Sequence, residues 1–133
     1  MADGNTLAPI TAGALEAFRA ASAVIIRETV RRSMEFSAEV EHHGAQAEQL
    51  ITIGLQFTTR MLEAVMVSGQ VSLLEDQMEW ALERLPHDGV QAAHMANRLE
   101  IYAKVVGETL SQDQAAEIVP YFKWMIARIK TSV

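Results

Sequence analysis

The sequence predicts an all-α fold, and three observations lead to this prediction. From about residue 11 to residue 132 the chain consists almost entirely of residues that favour helices. No segment alternates apolar and polar residues in the manner of a half-buried strand. The Asp88-Gly89 pair, a typical hairpin signal, lies between two helical segments and not between two strands.

The length of 133 residues fits one domain, and half of the residues are hydrophobic, which is enough for a buried core. Residues 1–10 are small and polar and include Gly4 and Pro9, so we expect a flexible N-terminal tail. Residues 11–133 are then expected to form a single helical domain.

Charge and cysteine content exclude several function classes. The chain has 11 Lys and Arg against 17 Asp and Glu, a net charge of −6, whereas a nucleic-acid-binding protein needs a basic face. It has no Cys, which excludes disulfides, thiolate metal sites and thioether-linked chromophores. No apolar run reaches the ~18 residues that span a bilayer, and the N-terminus lacks a secretory signal. We therefore expect a cytoplasmic protein with no membrane or nucleic-acid partner.

Local chemistry marks the helix boundaries. We predict helices over residues 11–32, 45–67, 72–85, 89–108 and 111–131, and a short continuation of the first helix to residue 41 stays open. Gly44 interrupts a polar stretch, and Gly69 ends the second helix because glycine is common just past a helix C-terminus. Capping signals mark the starts of the last three helices: Ser72 with Glu75, Asp88 with Gln91, and Ser111 with Gln114.

The apolar faces predict how the helices pack. The arc of the 45–67 helix is so broad that we expect this helix to be central and enveloped on several sides. The other helices have narrower stripes. In the last helix Pro120 is expected to cause a kink. Its aromatic segment is either core or a dimer face, and Trp124 is the residue we expect at an interface, while Trp80 lies off its helix's stripe.

One enveloped helix, one short helix and one helix with an internal proline do not match a regular bundle. They favour an irregular, globin-like packing of about five to six helices with steep crossing angles. A four-helix bundle is the alternative.

A resemblance supports the globin-like prediction. The stretch Leu62–Val106 resembles the central part of phycobilisome-type proteins, through Ser68-Gly69-Gln70, the following Ser72-Leu73-Leu74-Glu75-Asp76 and the turn Pro86–Gly89. That family usually has Gly-Asp where this chain has Gly69-Gln70, and it holds its bilin through a Cys that is absent here, so covalent attachment is excluded. The same fold class includes dimeric, non-heme sensor globins of bacterial signalling, and a chain without chromophore chemistry is most similar to those.

Candidate tetrapyrrole ligands follow the order found in globins. His87 would be the axial ligand at the corner, Gln56 or Phe57 would lie mid-way along the central 45–67 helix, and Phe36 would precede that helix. These residues would hold a heme or a bilin non-covalently. The other interpretation is that His87 is an exposed turn residue.

Metal and catalytic motifs are incomplete. Glu39 and His42 have Glu-x-x-His spacing, but a di-iron bundle needs a second copy and further Glu residues, so we expect no metal. His94 is expected to be a partly buried histidine, and Arg98 a solvated charge. No nucleophile elbow, P-loop or dinucleotide-binding motif is present, so we expect no enzyme. The seven Met suit either a hydrophobic ligand pocket or an ordinary core.

The sequence therefore predicts a non-catalytic sensory or regulatory domain. It would form a homodimer and respond to a small hydrophobic ligand or a protein partner in a signalling pathway. The alternatives are a non-covalent heme or bilin protein and a structural adaptor without a ligand.

Overall fold

The structure is a computed structural model that describes residues 7–35, 40–41, 44–88 and 91–131. Within these ranges it contains five α-helices and no strand, which confirms the all-α prediction. The helices are α1 (Ala12–Ser33), α2 (Ala47–Met66), α3 (Val71–Arg84), α4 (Ala92–Thr109) and α5 (Gln112–Thr131), with short 3₁₀ turns at Gly44–Gln46 and Leu85–Asp88. No helix in the described ranges is long and apolar enough to cross a membrane.

The helix starts show which capping predictions hold. The Ser111 side chain accepts from the backbone N–H of Gln114 at 3.2 Å, as predicted for α5. The predicted box at Ser72 is wrong, because α3 already begins at Val71 and Ser72 lies inside its first turn. Glu75, the expected partner in that box, instead pairs with Arg128 of α5 at 2.8 Å.

The start of α4 also differs from the prediction. The helix begins at Ala92, and Gln91, with an extended backbone, occupies the N-cap position. Asp88, the predicted N-cap, closes the 3₁₀ turn Leu85–Asp88 instead. The turn continues the chain beyond Arg84 in a helical form, and α4 therefore starts three residues later than the predicted 89–108.

The centre of the core lies where α1, α4 and α5 meet. The helix α4 packs against α5, and α1 packs against α4. Three buried rings meet there, with centroids 6.4 Å apart for Phe18 and Tyr102 and 4.7 Å apart for Tyr102 and Phe122. The Thr59 hydroxyl donates to the Leu55 carbonyl, so its oxygen accepts from the Tyr102 hydroxyl. This buried bond ties α2 to the core.

The helix α2 is not enveloped, so this part of the prediction is wrong. One apolar stripe, Ile51, Leu55, Leu62 and Met66, is fully buried. A second stripe faces away from the core, and Leu50, Ile53 and Phe57 have exposed fractions of 39%, 54% and 48%. The broad apolar arc thus serves two surfaces of the helix, only one of which is the core.

Residues 7–10 are held against the helices, which corrects the expectation of a flexible tail for this part of the chain. The Leu7 N–H donates to the Gly69 carbonyl at 2.8 Å, and the Ile10 N–H donates to the Met66 carbonyl at 3.0 Å. The Tyr121 hydroxyl donates to the Ala8 carbonyl at 2.8 Å. Residues 7–10, which we call the N-terminal strap, therefore connect the end of α2 to α5.

The last helix contains Pro120 and is helical on both sides of it, from Gln112 to Thr131. Its predicted apolar face is buried, at Ile118, Phe122, Met125 and Ile129. Trp124, the expected interface residue, is partly buried and packs against the core.

A candidate ligand-binding cleft

An apolar cleft of about 350 Å³ lies between α2, α3 and α4 and reaches α5 at a single residue. This volume falls at the small end of the range for ligand pockets, ~300–1,000 Å³. Its lining residues are Ile53, Gly54, Leu55, Phe57, Thr58, Met61, Gln77, Met78, Trp80, Ala81, Met95, Arg98, Leu99 and Met125.

The spacing of residues along the helices explains why the cleft forms. On α2 the second apolar stripe places Ile53, Phe57 and Met61 on one face, because residues four apart lie one above the other. Gly54 and Ala81, on α2 and α3, have little or no side chain at the cleft. Small residues at these two positions leave room between the helices that line the cleft.

The mouth of the cleft is unusually apolar for an exposed surface. Ile53, Phe57 and Trp80 have exposed fractions of 54%, 48% and 57% and all three line the cleft. Single exposed apolar residues are common, but a group of large ones around one concave opening is typical of a binding site.

Thioethers form much of the wall. Met61, Met78, Met95 and Met125 line the cleft and are four of the seven methionines in the chain. The methionine side chain is flexible and polarisable, so it adapts to ligands of different shape and makes favourable contacts with the edges of aromatic rings.

Arg98 places a positive charge inside these apolar walls. Its exposed fraction is 8%, although it is a charged residue on a helix of a small domain. A Cβ atom at Gly54 would lie 3.2 Å from the Arg98 Nη1 atom. The absence of a side chain at Gly54 therefore allows the guanidinium to lie close to the backbone of α2.

The groups whose pKa values are shifted, Tyr102 and the ion cluster around Glu28 among them, lie outside the lining of the cleft. Burial raises the pKa of Tyr102 to about 12, so this hydroxyl stays neutral and serves as a buried donor. Hydrogen bonds from Arg31 and Arg32 lower the pKa of Glu28 to about 2, and Arg32 also pairs with Glu108 at 2.5 Å. This exposed ion cluster connects α1 to α4 and has the character of a structural link.

The structure separates the predicted tetrapyrrole ligands. His87 is exposed in the turn Leu85–Asp88 and does not line the cleft. Gln56 is exposed and lines a different, wider groove between α1 and α2. Of the described candidates only Phe57 lines the cleft, and Phe36 lies outside the described residues.

The polar candidates have mixed outcomes. Glu39, His42 and His43 lie outside the described residues. His94 is buried, with an exposed fraction of 9%, close to its predicted environment. In the part of the chain that the structure describes, no group of three or more His, Asp or Glu residues could hold a metal ion.

Sequence reasoning missed Arg98 and Trp80 as site residues. Arg98 was expected to be solvated, but it lies three residues after Met95 and four before Tyr102, on the inward side of α4. This spacing from Met95 and Tyr102, which places Arg98 on the apolar face of α4, was the signal in the sequence that could have indicated its burial. Trp80 was recognised only as lying off the α3 stripe, and its proximity to Phe57 of α2 is a tertiary feature.

No family model matches the chain, and a search of curated proteins found no significant match.

Proposed function

We propose that this chain is a non-catalytic sensory or regulatory domain that binds a small hydrophobic ligand in the cleft. The observation that supports the proposal most directly is the apolar mouth formed by Ile53, Phe57 and Trp80 around a preformed concavity. A ligand there would cover apolar surface that is otherwise in contact with water, which is the main favourable contribution to such binding.

We propose that the fold is globin-like and that the domain responds to its ligand by a shift between two packings of its helices. The cleft is lined by Met95, Arg98 and Leu99 of α4 and by Met125 of α5, so a bound ligand would contact both helices. A ligand that fits one arrangement of α4 and α5 better than another would change the populations of the two.

The test uses Trp80 as a reporter inside the site. The chain has two Trp, so Trp124→Phe leaves Trp80 as the only one. We expect the neutral dye N-phenylnaphthylamine to quench Trp80 fluorescence saturably, with one dye per chain. Ala81→Leu should weaken binding by about tenfold, because the larger side chain fills the cleft.

Ala64→Leu is the matched control. Ala64 is exposed on α2 and does not line the cleft, so the same enlargement there should leave the dye affinity unchanged. Equal effects of the two substitutions, or no saturable quenching in the parent protein, would refute binding in this cleft.

We further propose that the domain forms a homodimer through the second stripe of α2. Leu50, Ile53 and Phe57 are exposed and follow one another along that helix, and two of them also line the cleft. An interface at this stripe would therefore couple association to ligand binding. Sedimentation velocity should show a dimer that Leu50→Glu weakens and Gln49→Glu does not. A monomer at every accessible concentration would exclude the dimer.

A further inference from the structure

We infer that the ligand of the cleft is an aromatic carboxylate, bound with its acid group at Arg98 and its ring between the methionines and the aromatic side chains of the mouth. This inference rests on the proposed function, because it names the class of ligand for the same cleft. It joins three features: one cation in the lining, a thioether-rich wall and two exposed aromatic residues at the opening.

The positive charge of Arg98 determines the orientation in which the ligand binds. Arg98 is the one charged side chain among the described lining residues, and its exposed fraction of 8% is far below those of the residues of the mouth. Its guanidinium is permanently charged and presents parallel N–H donors, which match the two oxygens of a carboxylate. Such a pair is stronger within apolar walls than in water, because the local dielectric constant is lower.

The walls favour a ring over a flexible chain. Met61 and Met95 are partly buried and line the cleft, and thioether sulfur makes favourable contacts with ring edges that a saturated chain cannot make. Phe57 and Trp80 at the mouth add ring–ring contacts beyond the area they bury. A rigid ring also loses less conformational entropy on binding than an alkyl chain of similar volume.

Gly54 is the positioning residue for the cation. An added Cβ would lie 3.2 Å from Arg98 Nη1, closer than ordinary van der Waals contact, so Gly54→Ala would displace the guanidinium by a few tenths of an ångström. The cleft itself would remain open, since the added methyl is small. The variant therefore tests the position of the charge separately from the hydrophobic volume.

The experiment compares three ligands on the parent protein by isothermal titration calorimetry. Naphthoate carries the ring and the acid, naphthamide carries the ring without the charge, and decanoate carries the acid on an alkyl chain. We expect naphthoate to bind at least about tenfold more tightly than naphthamide, the ratio produced by ~1.4 kcal/mol. Decanoate should bind more weakly than naphthoate.

Variants then locate the charge effect. Arg98→Met should remove the preference for naphthoate over naphthamide, Arg98→Lys should keep part of it, and Gly54→Ala should reduce it while binding of N-phenylnaphthylamine persists. A thermal melt of each variant confirms that it is folded. The comparison of ligands on the parent protein does not depend on any variant's folding.

The outcomes separate this inference from the proposed function. Equal affinities for naphthoate and naphthamide would refute the requirement for an acid group. Decanoate binding as tightly as naphthoate would refute the requirement for a ring. In both cases saturable binding of N-phenylnaphthylamine would still support a hydrophobic cleft. Failure of that neutral dye to bind would refute the proposed function itself.

Discussion

Gly69 connects the end of α2 to the N-terminal strap, and replacing it by Ala should be costly for two separable reasons. Its φ angle is +76°, a left-handed conformation that costs a residue with a Cβ ~1–2 kcal/mol. The added Cβ would also overlap the carbonyl oxygen of Leu7, which is a backbone atom and cannot rotate away. The strap would have to move and would lose the bond from the Leu7 N–H to the Gly69 carbonyl, worth ~0.5–1.5 kcal/mol.

Together these two costs give an expected loss of ~1.5–3.5 kcal/mol in the free energy of unfolding, a large share of the stability of a small domain. Gly44→Ala is the matched control, because Gly44 has a φ of +63° but nothing within 4 Å of an added Cβ. It should therefore show the conformational cost alone.

Urea unfolding at constant pH, monitored by circular dichroism, measures both variants. We expect the midpoint to fall clearly more for Gly69→Ala than for Gly44→Ala, with similar denaturant dependence. If the two losses are equal, the strap does not lie against Gly69 as the structure places it, and the reasoning fails.

Three further predictions concern single groups. The pKa of Tyr102 is raised to about 12 by burial, so the contribution of its neutral hydroxyl to the free energy of unfolding should be fully present below pH ~10 and should be lost as pH rises toward 12. In urea titrations at alkaline pH, Tyr102→Phe should make this decline shallower. The pKa of Glu28 is lowered to about 2 by Arg31 and Arg32, so its contribution is present above pH ~4.5 and is lost as pH falls toward 2. Glu28→Gln should show a smaller loss of stability than the parent between those pH values, and an unchanged acid profile would contradict the ion cluster. Gly107→Ala should raise the free energy of unfolding, measured by urea titration, by up to ~1 kcal/mol, since Gly107 is exposed within α4 with open space around it. A decrease would contradict that environment.

The parts of the fold that depend on periodicity were predictable. The residues of α5 that recur every three or four positions, such as Ile118, Phe122 and Ile129, are buried as expected. The Ser111 cap was also predictable, because its partner lies three residues away in the sequence. Both signals involve residues a few positions apart, so they can be recognised from the sequence of one helix without knowledge of the tertiary structure.

Features that depend on two distant segments were not predictable. The strap is held by bonds from Leu7 and Ile10 to the end of α2, and neither residue carries a local signal for that position. The breadth of the α2 arc was correctly recognised, but a broad arc fits both an enveloped helix and a helix with one face in the core and one at a cleft. Only the placement of α3 decides between them, because Trp80 of α3 and Phe57 of α2 line the same cleft.

The candidate site shows the same limit at the level of single residues. The order of residues in the chain predicts Phe57 as a tetrapyrrole contact, but Phe57 lines a cleft that does not contain His87. Arg98 was classed by its charge, whereas its burial follows from its position between Met95 and Tyr102 on α4. Its charge predicts exposure and its position on the helix predicts burial, and Arg98 is buried.

The helix α4 is the element through which occupancy of the cleft would reach the rest of the domain. Arg98 and Leu99 line the cleft, and one turn further along the same helix Tyr102 is buried against Phe122 of α5. Because packed interiors have few voids, α4 cannot move at the cleft without repacking that aromatic contact. Met125 lines the cleft from α5 itself, so a ligand would touch both partners of this interface. The position of the cleft, and not its chemistry alone, therefore supports a regulatory role.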